Sequence, residues 1–194
     1  MGHPSVWKVE PFRRESEGFI FTQLPALTNE TQTQCLIRLS LIRQVAATPG
    51  YSAEPVHPES ICCRVRPSPY GLGLFATRHL SLGELIFTER PLTITPTYLR
   101  TPELEHHVQG LAPDMRGQAI LDEWERRFLR PLVSRLRLED KEAFMDLANC
   151  HLADGSGPIL GVIRTNGLDP GLVDPLTGDE YAAVCKTMSR INHR

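Results

Sequence analysis

No run of apolar residues in this sequence approaches a membrane span, which needs about 20 of them. The opening residues, Met1-Gly2-His3-Pro4, lack the basic-then-apolar order of a secretory leader. A myristoylation reading of Gly2 fails as well, because Val6 stands where a Ser or Thr is required. Charge of one sign is missing too. With 21 Lys and Arg against 23 Asp and Glu, the net charge is -2, which gives no support for a nucleic-acid partner. A paired cysteine pattern is absent: Cys35, Cys62, Cys63, Cys150 and Cys185 are odd in number and irregular in spacing. That fits reduced thiols inside a cell, in nucleus or cytoplasm, and speaks against a disulfide framework. Zinc spacing is lacking as well. Neither the cysteines nor His151 and His193 form pairs two to four residues apart, and adjacent Cys62-Cys63 on a strand would face opposite ways. No metal is expected, and the cysteines read as buried small hydrophobes.

What is present suits one ordinary domain with a full core: 194 residues, 41% hydrophobic and 23% charged. Residues 1 to about 28 read as a loosely structured lead-in whose patch Gly18-Phe19-Ile20-Phe21 adds an edge strand. An amphipathic helix is predicted from Asn29 or Thr31 to Ala47, with Leu36, Ile37, Leu41, Ile42 and Val45 at helical spacings and Thr48-Pro49-Gly50 as its stop. Residues 49–59 read as a linker, which divides an N-terminal extension (1–58) from the main unit (59–194). There, Ile61 to Val65, Leu74 to Ala76, Leu85 to Thr88 and Leu92 to Ile94 read as short strands of an antiparallel meander, with a turn at Arg66-Pro67-Ser68-Pro69.

The period then changes. Thr101-Pro102-Glu103 has the hydroxyl, proline and acid of a helix start, with Leu104, Val108 and Leu111 inward. A second helix runs from Asp114 to a stop near Pro131, and a third from Glu139 to about Ala153 with Phe144, Leu147 and Ala148 inward. The reading is α+β, with residues 101–153 as a helical insertion. Arg126, Arg127, Arg130 and Arg135, alternating with Glu123, Glu125 and Glu139, describe a solvated helix face. Ile159 to Ile163 is a buried strand or helix, and Glu180 to Arg194 opens as a helix.

Few residues suggest chemistry on their own. His106-His107 and Cys150-His151 have no nucleophile-and-base arrangement and read as surface or packing residues. Tyr70-Gly71-Leu72-Gly73 is a tight turn whose glycines also allow a ligand to approach the main chain. Ser189-Arg190-Ile191-Asn192-His193 puts an amide and an imidazole behind an apolar residue, which suits an adenine edge or a carboxylate and equally suits a solvated helix end.

Three stretches in order resemble a SET domain, the fold of the protein-lysine methyltransferases. Gly71-Leu72-Gly73-Leu74-Phe75-Ala76 with Gly83-Glu84-Leu85-Ile86 and Glu89-Arg90-Pro91 is similar to the family's opening block. Ile163-Arg164-Thr165-Asn166-Gly167 resembles its asparagine-bearing middle segment, and Arg190-Ile191-Asn192-His193 the start of its Arg-Phe/Ile-Asn-His-Ser-Cys-x-Pro-Asn signature. Residues 101–153 stand where members with a MYND module carry zinc, so the likeness is to the MYND-less branch common in fungi.

The resemblance implies a SET-type fold of short antiparallel strands with a helical insertion. It implies S-adenosylmethionine as cofactor, held by Tyr70, Gly71, Leu72, Gly73, Asn166, Asn192 and His193, and a protein substrate with a target lysine, histone or other. Membranes and nucleic acid are not implied partners. The chain reads Arg194 where the family continues Ser-Cys-x-Pro-Asn. The expectation is therefore a C-terminally incomplete SET domain with little or no activity, no assigned catalytic residue, and under-covered Ile159, Val162 and Ile163. Two readings stand beside it: a non-catalytic interaction module that uses the helical insertion, and a fragment without independent function.

Overall fold

The computed structural model describes residues 18–24, 32–49, 56–99 and 101–191. Most of the expected lead-in and part of the linker lie outside the described residues. Within them, the chain is mixed α and β around one four-stranded sheet, ordered β1 (Phe19–Leu24), β2 (Thr33–Arg38), β5 (Thr93–Pro96) and β6 (Tyr181–Val184). β1 runs antiparallel to β2, from Phe19 opposite Arg38 to Leu24 opposite Thr33, so Phe19-Ile20-Phe21 does form an edge strand. β6 is antiparallel to β5. The central pair is different: Gln34 faces Thr93 and Cys35 faces Ile94 in parallel. This corrects the expectation of antiparallel strands only. A parallel pair needs a long crossover, here residues 39–92 with α1 (Leu39–Ala47) in it.

The predicted helix over 31–47 is half strand. Thr33 to Ile37 are all buried, as a central strand covered on both faces requires. Leu36 joins one core with Phe21, Val184 and the helical side chains Phe128, Leu132 and Phe144; Cys35 and Ile37 join the other with Leu41, Ile42 and Tyr181. A continuous apolar run does not distinguish strand from helix by spacing, and pairing on two sides decided it.

The meander is also revised. β3 (Cys63–Ser68) and β4 (Gly71–Ala76) form a separate two-stranded ribbon, closed at Pro69-Tyr70. The strand runs through Pro67, which the predicted turn at 66–69 did not allow. An unpaired outer edge tolerates a residue with no N–H to donate. Leu85 to Thr88 forms no strand; its anchors are Cys62 Sγ to Ile86 O (3.2 Å) and Thr88 Oγ1 to Val56 O (2.7 Å). Leu92 to Ile94 leads into β5 and so joins the other sheet.

The helices fill one face. α2 (Pro102–Gln109) starts as its local sequence predicts, with the Leu104 amide donating to Thr101 Oγ1 at 3.2 Å and Leu104 and Val108 buried. The helix begun by α3 (Pro113–Trp124) runs through Pro131 and ends shortly after it, at Ser134. It passes through a π turn (Glu125–Leu129) into α4 (Arg130–Ser134). Proline lacks the N–H and clashes with the carbonyl four residues back. The Arg130 amide bonds to Glu125 O, five residues back, which shifts the ladder just before the ring arrives.

α5 (Leu138–Met145) ends well before Ala153. Phe144 and Leu147 are buried, but Ala148 falls in the following loop and is exposed. α6 (Pro158–Asn166) settles 159–163 as helix. Ile159, Val162 and Ile163 are 8%, 2% and 4% exposed, so they are not under-covered; the α3–α4 rod packs over them. Glu123 and Glu125 are buried, against the solvated-face reading. Glu125 Oε2 accepts from the Ile159 and Leu160 amides, both at 3.2 Å, satisfying free donors in the first turn of α6.

The last segment opens as strand β6 in place of the expected helix, and only Met188–Arg190 coils, as a 3-10 turn. Cys35, Cys62 and Cys185 are buried, Cys63 is half-buried, and Cys150 is exposed against expectation because it lies in the loop after α5; all five are free thiols. Among the described residues no helix is long and apolar enough to cross a membrane.

Candidate functional site

The ribbon turn is fixed by Ser68, whose Oγ accepts from the Tyr70 amide (3.1 Å) and donates to Gly71 O (2.7 Å). Gly71 has φ +101°, a region that costs side-chain-bearing residues strain, and a Cβ built there would meet nothing within 4 Å. Its backbone is open to approach. Gly73 is buried, opposite Arg66, while Tyr70, Leu72 and Phe75 are exposed by 71%, 38% and 41%.

β4 packs against the 188–190 turn. Glu89 holds that turn: its carboxylate accepts from the Thr187 amide at 2.7 Å and the Met188 amide at 2.9 Å. Beside it, burial pushes the Cys185 thiol up to about 12, and the negative charge of Glu89 adds to the shift. Ser189 Oγ donates to Asn166 O at 3.5 Å, and Arg190 reaches Asp146 Oδ2 at 2.8 Å. The ribbon, the end of α6 and the stretch leading to Asn192 are thus gathered in one place. Asn192 and His193 themselves lie outside the described residues.

Asn166 is buried. Its Nδ2 donates to Ala148 O (2.7 Å) and Val162 O (2.8 Å), which uses both amide hydrogens on the protein itself. Sequence reasoning named Glu89, Ser189 and Arg190 only as parts of motifs and missed their contacts, and it missed Asp146 altogether. Two partners 98 residues apart leave no local signal. Tyr181 sits elsewhere, 1% exposed in the second core, where its hydroxyl accepts from the Arg38 amide at 3.2 Å and burial pushes its phenol up to about 12.

A separate cavity lies elsewhere in the described structure. A groove of about 980 Å³ opens between β5–β6 and helices α2, α3 and α6. Leu104, Val108, Leu121, Trp124 and Ile163 line it, and Tyr98, Glu105, His151, Arg164 and Glu180 are also on its wall. None of Tyr70 to Gly73 lines it, while Gly167, next to Asn166, does.

By that groove His151 Nδ1 meets Asp154 Oδ2 at 2.6 Å, and Arg164 meets the same oxygen at 2.9 Å. The hydroxyl of Ser156, the His151 ring and, more weakly, Arg164 hold the Asp154 carboxyl well below the usual carboxylate range. A histidine oriented by a carboxylate is half of a triad. The other half is missing here, because Ser156 Oγ donates to Asp154 Oδ1 at 2.6 Å, with Arg164 also bonded to it, and does not bond the imidazole. Both His106 and His107 are exposed on α2. Among the described residues no group of three or more His, Cys, Asp or Glu is placed to hold a metal ion.

Comparison with protein-family models, with curated proteins and with solved structures returned no match.

Proposed function

We propose that this chain carries the cofactor-binding part of a SET-type, S-adenosylmethionine-dependent protein-lysine methyltransferase. The observation that carries the reading is the tether of the 188–190 turn. Glu89 of the opening block binds the turn just before Asn192, and Ser189 in that turn reaches Asn166 O, so three motifs far apart in sequence meet. The residues also fit the group. Nothing stands within 4 Å of where a Cβ on Gly71 would be, Gly73 is buried nearby, and β4 has no strand partner but β3 among the described residues and packs against the turn.

When bound, S-adenosylmethionine supplies an electrophilic methyl group for the neutral amine of a substrate lysine. The main chain of Tyr70 to Gly73 would hold it, with Asn192 and His193 completing the grip. Asn166 acts through the backbone: its side chain ties α6 to the loop at Ala148, and its carbonyl receives Ser189. Glu89 keeps the turn in register with the ribbon, a positioning role.

Methyl transfer needs alignment and a dry site more than a strong acid or base. Tyr70, Leu72 and Phe75 are open to water. These 194 residues by themselves are therefore expected to bind the cofactor weakly and to transfer no methyl group. Isothermal titration with S-adenosylmethionine tests this. The wild-type chain should give a binding isotherm that Gly73→Val abolishes, while Gly117→Ala on α3 leaves it unchanged. Absence of heat from the wild-type chain, or equal affinity in Gly73→Val, defeats the reading.

A further inference from the structure

The groove between β5–β6 and the helices takes no part in the reading above, and its chemistry is of another kind. Its floor is apolar, with Leu104, Val108, Trp124 and Ile163 at 3–8% exposure. A volume of about 980 Å³ stands at the top of the range of small-molecule cavities, roughly 300–1,000 Å³, and has room for several side chains at once.

Among the described residues the uncommitted charge on the wall is acidic. Arg164 is committed to Asp154 and Ser156. Glu105 and Glu180 are exposed, and among the described residues neither carboxylate has a cationic partner. Between the groove and a smaller cavity of about 220 Å³ stands Tyr98, 73% exposed, with Glu180 lining both. An aromatic face beside a free carboxylate attracts an ammonium or guanidinium group. In the floor, the indole Nε1 of Trp124 is buried with no acceptor among the described residues, an unspent donor in an otherwise apolar floor.

The geometry points to a docking site for a protein segment that places apolar side chains on this floor and a lysine or arginine against Tyr98, Glu105 and Glu180. The acidic wall repels nucleic acid and anionic lipid, and it selects among apolar peptides by charge. Affinity comes from the buried anchors, and orientation from the cation. The site stands on the groove alone and does not require the cofactor reading.

Selection of a displayed random-peptide library on the full chain tests it. Synthetic copies of the selected peptides are then measured by fluorescence anisotropy against wild type, Glu105→Lys/Glu180→Lys, and a control with the exposed pair Glu139→Lys/Glu142→Lys on α5. The expected winners combine apolar residues with lysine or arginine, bind the groove variant at least tenfold more weakly, and bind the control like wild type. Three results overturn the proposal: no enrichment, winners without a basic residue, or equal loss in both variants. A concentration-dependent dimer in sedimentation that Glu105→Lys/Glu180→Lys abolishes would give the groove to a second copy of the chain, and overturns it too. Cofactor titration of the same variants is unaffected by either result.

Discussion

In the four-stranded sheet almost every side chain has left the water, whereas in the β3–β4 ribbon most remain in it. β2 is buried from Thr33 to Ile37, and β5 along its whole length. In β3 only the ends, Cys63 and Ser68, are half-buried, and Arg64 to Pro67 are exposed. The sheet is held by two apolar cores, one on each face. The ribbon has neither. An isolated two-stranded hairpin is marginal in water; this one has the Ser68 turn and the packing of β4 against the 188–190 turn. Burial stabilises the sheet and closes it. The ribbon gives up burial and keeps main chain accessible, which is what recognition of a small molecule through backbone atoms needs.

That contrast can be broken by mutation, first in the core. Phe144→Ala empties a fully buried site and should cost about 3–5 kcal/mol in chemical denaturation, whereas Phe75→Ala in the ribbon should cost under about 1 kcal/mol. Comparable losses would end the distinction. Next come the two glutamates that bind backbone amides. Glu125→Ala leaves the Ile159 and Leu160 amides without their acceptor in a buried place, a loss of about 1–3 kcal/mol. Glu89→Ala should instead act locally, with hydrogen-exchange protection lost at Thr187 and Met188 and kept at β5 and β6.

Glycines sharpen the comparison further. Gly71→Ala meets no neighbour, so its cost is backbone strain alone, roughly 1–3 kcal/mol. Gly117→Ala, in the open middle of α3, should stabilise by up to about 1 kcal/mol. The smallest effect is on pH. The folded state holds the Asp154 carboxyl below its unfolded value of about 3.9, so its contribution is present above that pH and lost as pH falls through the folded value. Denaturation midpoints should drop from about pH 4 downward, and the drop should be shallower in Asp154→Asn.

Sequence alone made some of this legible, for reasons that lie in particular residues. Thr101-Pro102 announces α2 because capping is settled within four residues. Gly71 is readable as a turn signal because few residues other than glycine accept φ +101°, but the turn itself is Pro69-Tyr70, and Gly71, Leu72 and Gly73 already belong to β4, not to the tight turn expected there. Residues 33–38 misled because β2 is covered on both faces and has no alternation to read. Pro131 falls inside the helix because a π turn upstream absorbs it, and nothing local shows that the ladder has slipped. Leu85 to Thr88 has strand-like side chains but no partner to pair with. In the candidate site, Gly71, Gly73 and Asn166 were singled out by their likeness to a motif alone. Glu89 as a tether was not, since its role exists only once residues 98 positions away arrive.

The most direct test of the central claim is an amide chemical-shift map of the isotope-labelled chain titrated with S-adenosylmethionine. Shifts are expected at Tyr70–Gly73, Asn166 and Thr187–His193, with the groove residues Leu104, Val108 and Leu121 unmoved. No shifts, or shifts gathered in the groove, would contradict the claim.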